Sequence, residues 1–173
     1  PVEGGFGAGS FVTQISTTGF NLGAAMFDTS AGNEHDPDLQ PPLTTADGNC
    51  LILQQAHFPH QDGEGNYLHP NDAAQGGTIE IELACGFRMR SVDLLDVCAA
   101  NGQDVIVTLV DHNGFTRTFF VEPGYTSAGD GGRATLDLTA TTTQSGVAGD
   151  ASFLGENDFN PDTVGTIRFE LEG

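Results

Sequence analysis

The residues of this chain best suited to chemistry are carboxylates spaced one residue apart in a polar loop. Glu34, Asp36 and Asp38 lie within Asn33-Glu-His-Asp-Pro-Asp-Leu39, and Asp28 precedes them at the end of an apolar stretch. Alternate acids around Pro37 can turn several oxygens toward one point, and calcium takes about six to eight oxygen ligands, carbonyls and waters included. The spacing is not that of an EF-hand loop, which needs a glycine and a terminal glutamate at fixed positions. A second acidic loop carries Asn71 and Asp72. Asp96, next to a following loop, is a further candidate, and strand alternation sends Asp93 to the opposite face as a solvent-facing acid. Against each stands the plainer role of Asp and Asn as turn formers. The expected cofactor is therefore Ca2+, with Asp28, Glu34, Asp36, Asp38, Asn71, Asp72 and Asp96 as its candidate ligands.

Other chemistry finds little to work with. His57, His60 and His69 share one loop region with Asp62 and Glu64, but H-x-x-H in a loop is a weak metal pattern and solvated histidines are the better reading. There is no G-x-S-x-G elbow and no phosphate-cradling Gly-Lys pair, lysine being absent altogether. No pair of acids stands out for glycoside cleavage. With no Trp and only Tyr67 and Tyr125, an aromatic platform for sugars is thin. The expectation is a protein without catalytic residues.

Charge sets the class of partner. The 173 residues carry 24 acids against five bases, all arginine, for a net charge of −19. Such a field repels nucleic acid and anionic membranes. It also works against the compact state unless cations sit among the acids. No apolar run approaches the roughly 20 residues of a membrane-spanning helix. The chain starts at Pro1 rather than Met, which fits a mature secreted protein whose leader has been removed.

These residues need a scaffold, and the scaffold reads as all-β. The 24 glycines and eight prolines, with no extended helical periodicity, suggest short strands and tight turns. Strands are expected at Leu22–Asp28, Cys50–Gln54, Thr78–Leu83, Met89–Val97, Asp104–Val110, Phe115–Val121, Ala134–Thr139 and Thr166–Leu171. Ile79, Ile81 and Leu83 alternate with Glu80 and Glu82, the mark of a half-buried strand. Asp111-His112-Asn113-Gly114 reads as a hairpin turn, and Thr141–Asp162 as mostly loop. The fold expected is a two-sheet β-sandwich of jelly-roll type, formed by residues 21–173.

Residues 1–20 stand apart as a glycine-rich arm with spaced apolar residues, Phe6, Phe11, Ile15 and Phe20. Either the arm is an edge strand of its own domain, or it pairs with the sheet of a neighbouring subunit. The expected partner is thus another copy of the chain, in an oligomer or polymer, with a polysaccharide as the alternative.

Phe27-Asp28, Asp36-Pro37-Asp38-Leu39, Gly48-Asn49 before Leu51-Ile52-Leu53, Asn71-Asp72 with Gly76-Gly77, and Ser91-Val92-Asp93-Leu94-Leu95-Asp96 follow one another in a telling order. Over roughly residues 22 to 120 this succession resembles a bacterial extracellular domain common in surface proteins with PEP-CTERM-type sorting tails. The resemblance implies a secreted β-sandwich without catalysis. No sorting tail follows Gly173, so a form without a membrane anchor is expected.

Three cysteines, Cys50, Cys85 and Cys98, allow one disulfide and one odd thiol, and none lies in a C-x-x-C pair. Cys50–Cys98 is the favoured pairing. The whole reads as a secreted, calcium-stabilised structural or adhesive surface protein that builds a filament or layer through its arm. A calcium-dependent carbohydrate-binding module is the alternative.

Overall fold

The computed structural model describes residues 12–28, 49–57, 59–63, 67–69, 71–95, 97, 104–126 and 132–172. These residues contain strands and no helix. In chain order the strands are β1 (Val12–Thr18), β2 (Asn21–Asp28), β3 (Asn49–Gln55), β4 (Gly76–Phe87), β5 (Ser91–Leu95), β6 (Val105–Asp111), β7 (Thr116–Val121), β8 (Arg133–Asp137), β9 (Gln144–Ser145), β10 (Asp150–Gly155) and β11 (Val164–Glu172). Seven form one sheet in the order β1-β4-β11-β6-β7-β10-β9. Its pairings are antiparallel throughout. The remaining four form two separate antiparallel ribbons, β2-β3 and β5-β8.

Period-two alternation places one face of the large sheet inward. Along β6, Val105, Val107, Leu109 and Asp111 are buried while the residues between them are half-exposed. Their inward neighbours are Ile79 and Ile81 of β4, Phe119 and Val121 of β7, and Val164 and Ile167 of β11. Leu53 of β3, Leu94 of β5 and Leu136 of β8 belong to the same apolar cluster. The ribbons therefore cover the inner face, and the all-β, two-layer architecture expected from sequence is present. Phe119, wholly buried, contributes on the order of 3–5 kcal/mol by its packing.

The chain passes from sheet to ribbon at a corner between β1 and β2. Gly77, at the start of β4, has φ +143°. A Cβ there would press into the carbonyl oxygen of Thr18 and the Leu53 side chain, so β1 can lie this close only over glycine. The Asn21 side chain closes the corner, donating to the Thr18 carbonyl at 2.9 Å and accepting from the Gly23 N–H at 2.9 Å.

The clearest departure from the sequence reading is β10. It lies inside Thr141–Asp162, expected as mostly loop, yet pairs with β7 from Ala151↔Val121 to Gly155↔Arg117. Its only fully buried side chain is Ala151, so it carries almost no hydrophobic alternation of its own. The β7 edge supplies what the local pattern lacks. Strand β4 also runs past the expected Leu83 to Phe87, held there by β11 through Val164↔Phe87.

Candidate functional site

The candidate calcium ligands fall in different places. Glu34, Asp36, Asp38 and Asp96 lie outside the described residues. Asp28 is placed by its backbone only, at the end of β2 opposite Asn49. Asn71 and Asp72 sit at the other end of β3. The Gln55 N–H donates to the Asn71 carbonyl at 2.9 Å, and Gln54 bridges Asp72. At about 3.3 Å per residue, the span from Asn49 to Gln54 separates the two positions by roughly 16 Å. Asp28 and Asp72 therefore cannot share one ion. Among the described residues no three acidic, His or Cys side chains converge on one point.

What holds the Asn71–Asp72 loop is Gln54, which is fully buried. Its side-chain amide donates to the His69 carbonyl at 3.1 Å and its oxygen accepts the Asn71 N–H at 3.2 Å. A buried amide satisfied on both sides fixes the loop to the ribbon. Asp93 is the solvent-face acid the alternation predicts. It lies on β5, accepting from Arg133 at 2.7 Å and from the Thr135 hydroxyl across the β5-β8 ribbon. The Thr135 bond, with help from Arg133 and against some burial, holds its carboxyl below the ordinary range. His57 and His60 are exposed, in keeping with solvated loop histidines.

Neither tyrosine offers a sugar platform. Tyr125 is buried with its hydroxyl turned to the Thr135 carbonyl at 3.4 Å. Tyr67 is half-buried and bonds the Leu22 carbonyl at 3.2 Å.

The inward acid Asp111 escaped the sequence reading, which placed it simply in a turn. It continues the buried row Val105, Val107, Leu109 in phase, and that phase is the signal that would have found it. One carboxylate oxygen accepts the N–H groups of Asn113 at 2.8 Å and Phe115 at 3.0 Å; the other accepts that of Asn160 at 2.9 Å. Burial pushes this carboxyl up, but the N–H groups of Asn160, Asn113, Phe115 and Gly114 outweigh it and leave the group below its ordinary value. Asp111 thereby ties the β6-β7 hairpin to the segment before β11. Its role is structural.

Arg117 shares the inward side of β7. Its guanidinium lies 4.7 Å from the Phe159 ring centre and 5.4 Å from that of Phe153. Nη1 donates to the Leu138 carbonyl at 3.3 Å, and Nε is buried without a partner. Burial pushes this arginine down. By contrast, Arg88, Arg133 and Arg168 form exposed ion pairs with Asp162, Asp93 and Glu80. Arg117 acts as a plug between two rings.

The region that differs most from a closed sandwich is β1. Of the candidate assembly residues, Phe6 and Phe11 lie outside the described residues. Ile15 pairs opposite Ile81 and packs half-buried against the core. Phe20 remains 62% exposed, edge-on to His57 with ring centres 6.3 Å apart. Strand β1 pairs with β4 of its own chain from Thr18↔Thr78 to Val12↔Leu83, with one bulge between Val12 and Gln14. On its other side no described strand pairs. Its seven residues, Val-Thr-Gln-Ile-Ser-Thr-Thr, carry no charge and no proline, two of the devices that blunt an edge; a third, the bulge, is confined to the Val12 end. The opposite edge, β9, is blunted by being two residues long.

The favoured cysteine pairing cannot be placed, since Cys98 lies outside the described residues; Cys50 is half-buried on β3 and Cys85 is exposed on β4. Compared with known protein families, with characterised proteins and with solved structures, the chain matches none.

Proposed function

We propose that this chain is a non-enzymatic structural or adhesive component of an extracellular surface, stabilised by calcium and self-assembling through its N-terminal region. The observation that carries the reading is the uncharged, one-sided edge strand β1 in a chain of net charge −19. Such an edge is a ready template for another chain, while the acidic remainder keeps copies apart elsewhere. The resemblance to PEP-CTERM-type surface domains supports the extracellular setting. Calcium would be held by acids of the Asp28–Asp38 stretch, whose oxygens suit a hard cation, and would offset repulsion among the carboxylates.

The test is the mass and melting temperature of native protein before and after EDTA. Millimolar Ca2+ is expected to raise the melting temperature, and Asp36→Asn with Asp38→Asn to abolish that rise. A melting temperature indifferent to Ca2+, in a protein that stays monomeric, rules the reading out.

A second reading, binding of a polysaccharide, is favoured by one feature of the outer sheet face. Phe120 is 41% exposed there, on the strands that carry the Thr108–Thr118 hydroxyl pair at 3.2 Å. A ring beside hydroxyls can stack on and bond to a sugar. Tight, chelator-sensitive glycan binding by a monomer on an array would favour it.

A further inference from the structure

We propose that the outer edge of β1 pairs antiparallel with the same edge of a second copy, around a two-fold axis, so that two seven-stranded sheets become one. The inference rests on the assembly reading above and names its partner and symmetry.

Main-chain chemistry comes first. An edge strand presents N–H and C=O groups that a strand, and no globular surface, can satisfy in series. Gln14 to Thr18 runs without a break in register, long enough for a continuous ladder. The same segment on another copy is an equal match, and a two-fold contact needs only one such surface.

Apolar packing comes second. Val12 and Ile15 of β1 and Leu83 of β4 lie against the core yet stay partly exposed. These three side chains therefore leave apolar surface along this edge. Pairing β1 with its copy would bring these residues of both chains side by side and make the two cores continuous.

Charge comes third. Two copies at −19 repel wherever carboxylates meet. Across a β1–β1 contact, among the described residues of β1 and β4, the nearest outward acids are Glu80 and Glu82, opposite Ser16 and Gln14. They would stand three strand spacings from their counterparts, about 14 Å, beyond the Debye length of about 8 Å at physiological salt. Glu80 is also paired with Arg168, whose Nε lies 2.7 Å away. A cationic partner would be drawn to the acids and not to this neutral strand, which leaves a second copy as the occupant.

The experiment is sedimentation equilibrium on the full chain, at about 0.15 M salt and at higher salt. The expected mass at high concentration is twice the 18.1 kDa chain, with association strengthened by salt. Gln14→Lys with Ser16→Lys, and separately Gln14→Glu with Ser16→Glu, should each weaken dimerisation tenfold or more, because like charges then face each other. Mixing the two variants should restore it. The lysine variant decides the matter most sharply, since it lowers the net charge and would strengthen any non-specific association. Assembly indifferent to both pairs of substitutions overturns the β1 contact and leaves the broader assembly reading standing. Growth past the dimer that the substitutions abolish overturns the two-fold symmetry. A monomer under all conditions overturns both proposals.

Discussion

The β6-β7 hairpin and the β1 edge belong to one sheet and treat backbone polarity in opposite ways. At the hairpin, a buried carboxylate meets the N–H groups of Asn113, Phe115 and Asn160 one by one. At β1, one side of the strand is matched by β4 and the other is paired by no described strand. The difference separates what sets stability from what is free for association. Polarity enclosed in the core has to be satisfied inside the chain, because water cannot do it. Polarity at the rim is held by water until another strand replaces it.

The largest effect expected is from Asp111→Ala, which removes a buried carboxylate and with it the partner of three part-buried N–H groups. A loss of roughly 3 kcal/mol or more is expected in urea unfolding; a loss under about 1 kcal/mol would mean that the hairpin is no better anchored than the edge. Gly77→Ala should cost roughly 2–3 kcal/mol through its positive φ and the crowding of Thr18. Hydrogen exchange should then quicken in β1 before it quickens in β6 and β7. Uniform quickening would erase the distinction between the two regions.

The pH dependence follows from Asp111 with a definite sign. Its folded value lies below the unfolded one, so the folded state gains stability above the unfolded value of about 3.9. That gain is lost as pH falls from there through the depressed folded value. Stability measured at high salt, where general repulsion is screened, should decline in this window in the parent and much less in Asp111→Asn. Equal slopes would show that the carboxylate is not the group responsible. The smallest effect belongs to the edge region: Phe20→Ser, at a site 62% exposed, should change unfolding stability by no more than about 0.5 kcal/mol. A larger loss in monomeric protein would place Phe20 among the residues that hold the fold together.

Much of the scaffold was legible where strands advertise themselves. Ile79 and Ile81, or Ile167 and Phe169, alternate with polar neighbours, and each pattern marks a strand whatever it pairs with. The Asn113-Gly114 turn was equally plain, because φ at Gly114 is +88° and glycine takes that value without strain. The candidate site was legible only in kind. Acid spacing raised the expectation of a hard cation, but it did not reveal that Asn71–Asp72 and Asp28 sit at opposite ends of β3. It also gave no notice that Gln54, five residues from Asn49, would be the group that fixes the loop.

The amino-acid order by itself determined the all-β class, the inward row of β6 and the neutrality of β1, since each depends on residues a few places apart. Only the tertiary structure decided that Asp111 is enclosed, that β10 is a strand and that β1 is an edge. Those properties depend on which distant segments come to lie alongside, and pairing across a sheet is set by the packing of the whole core.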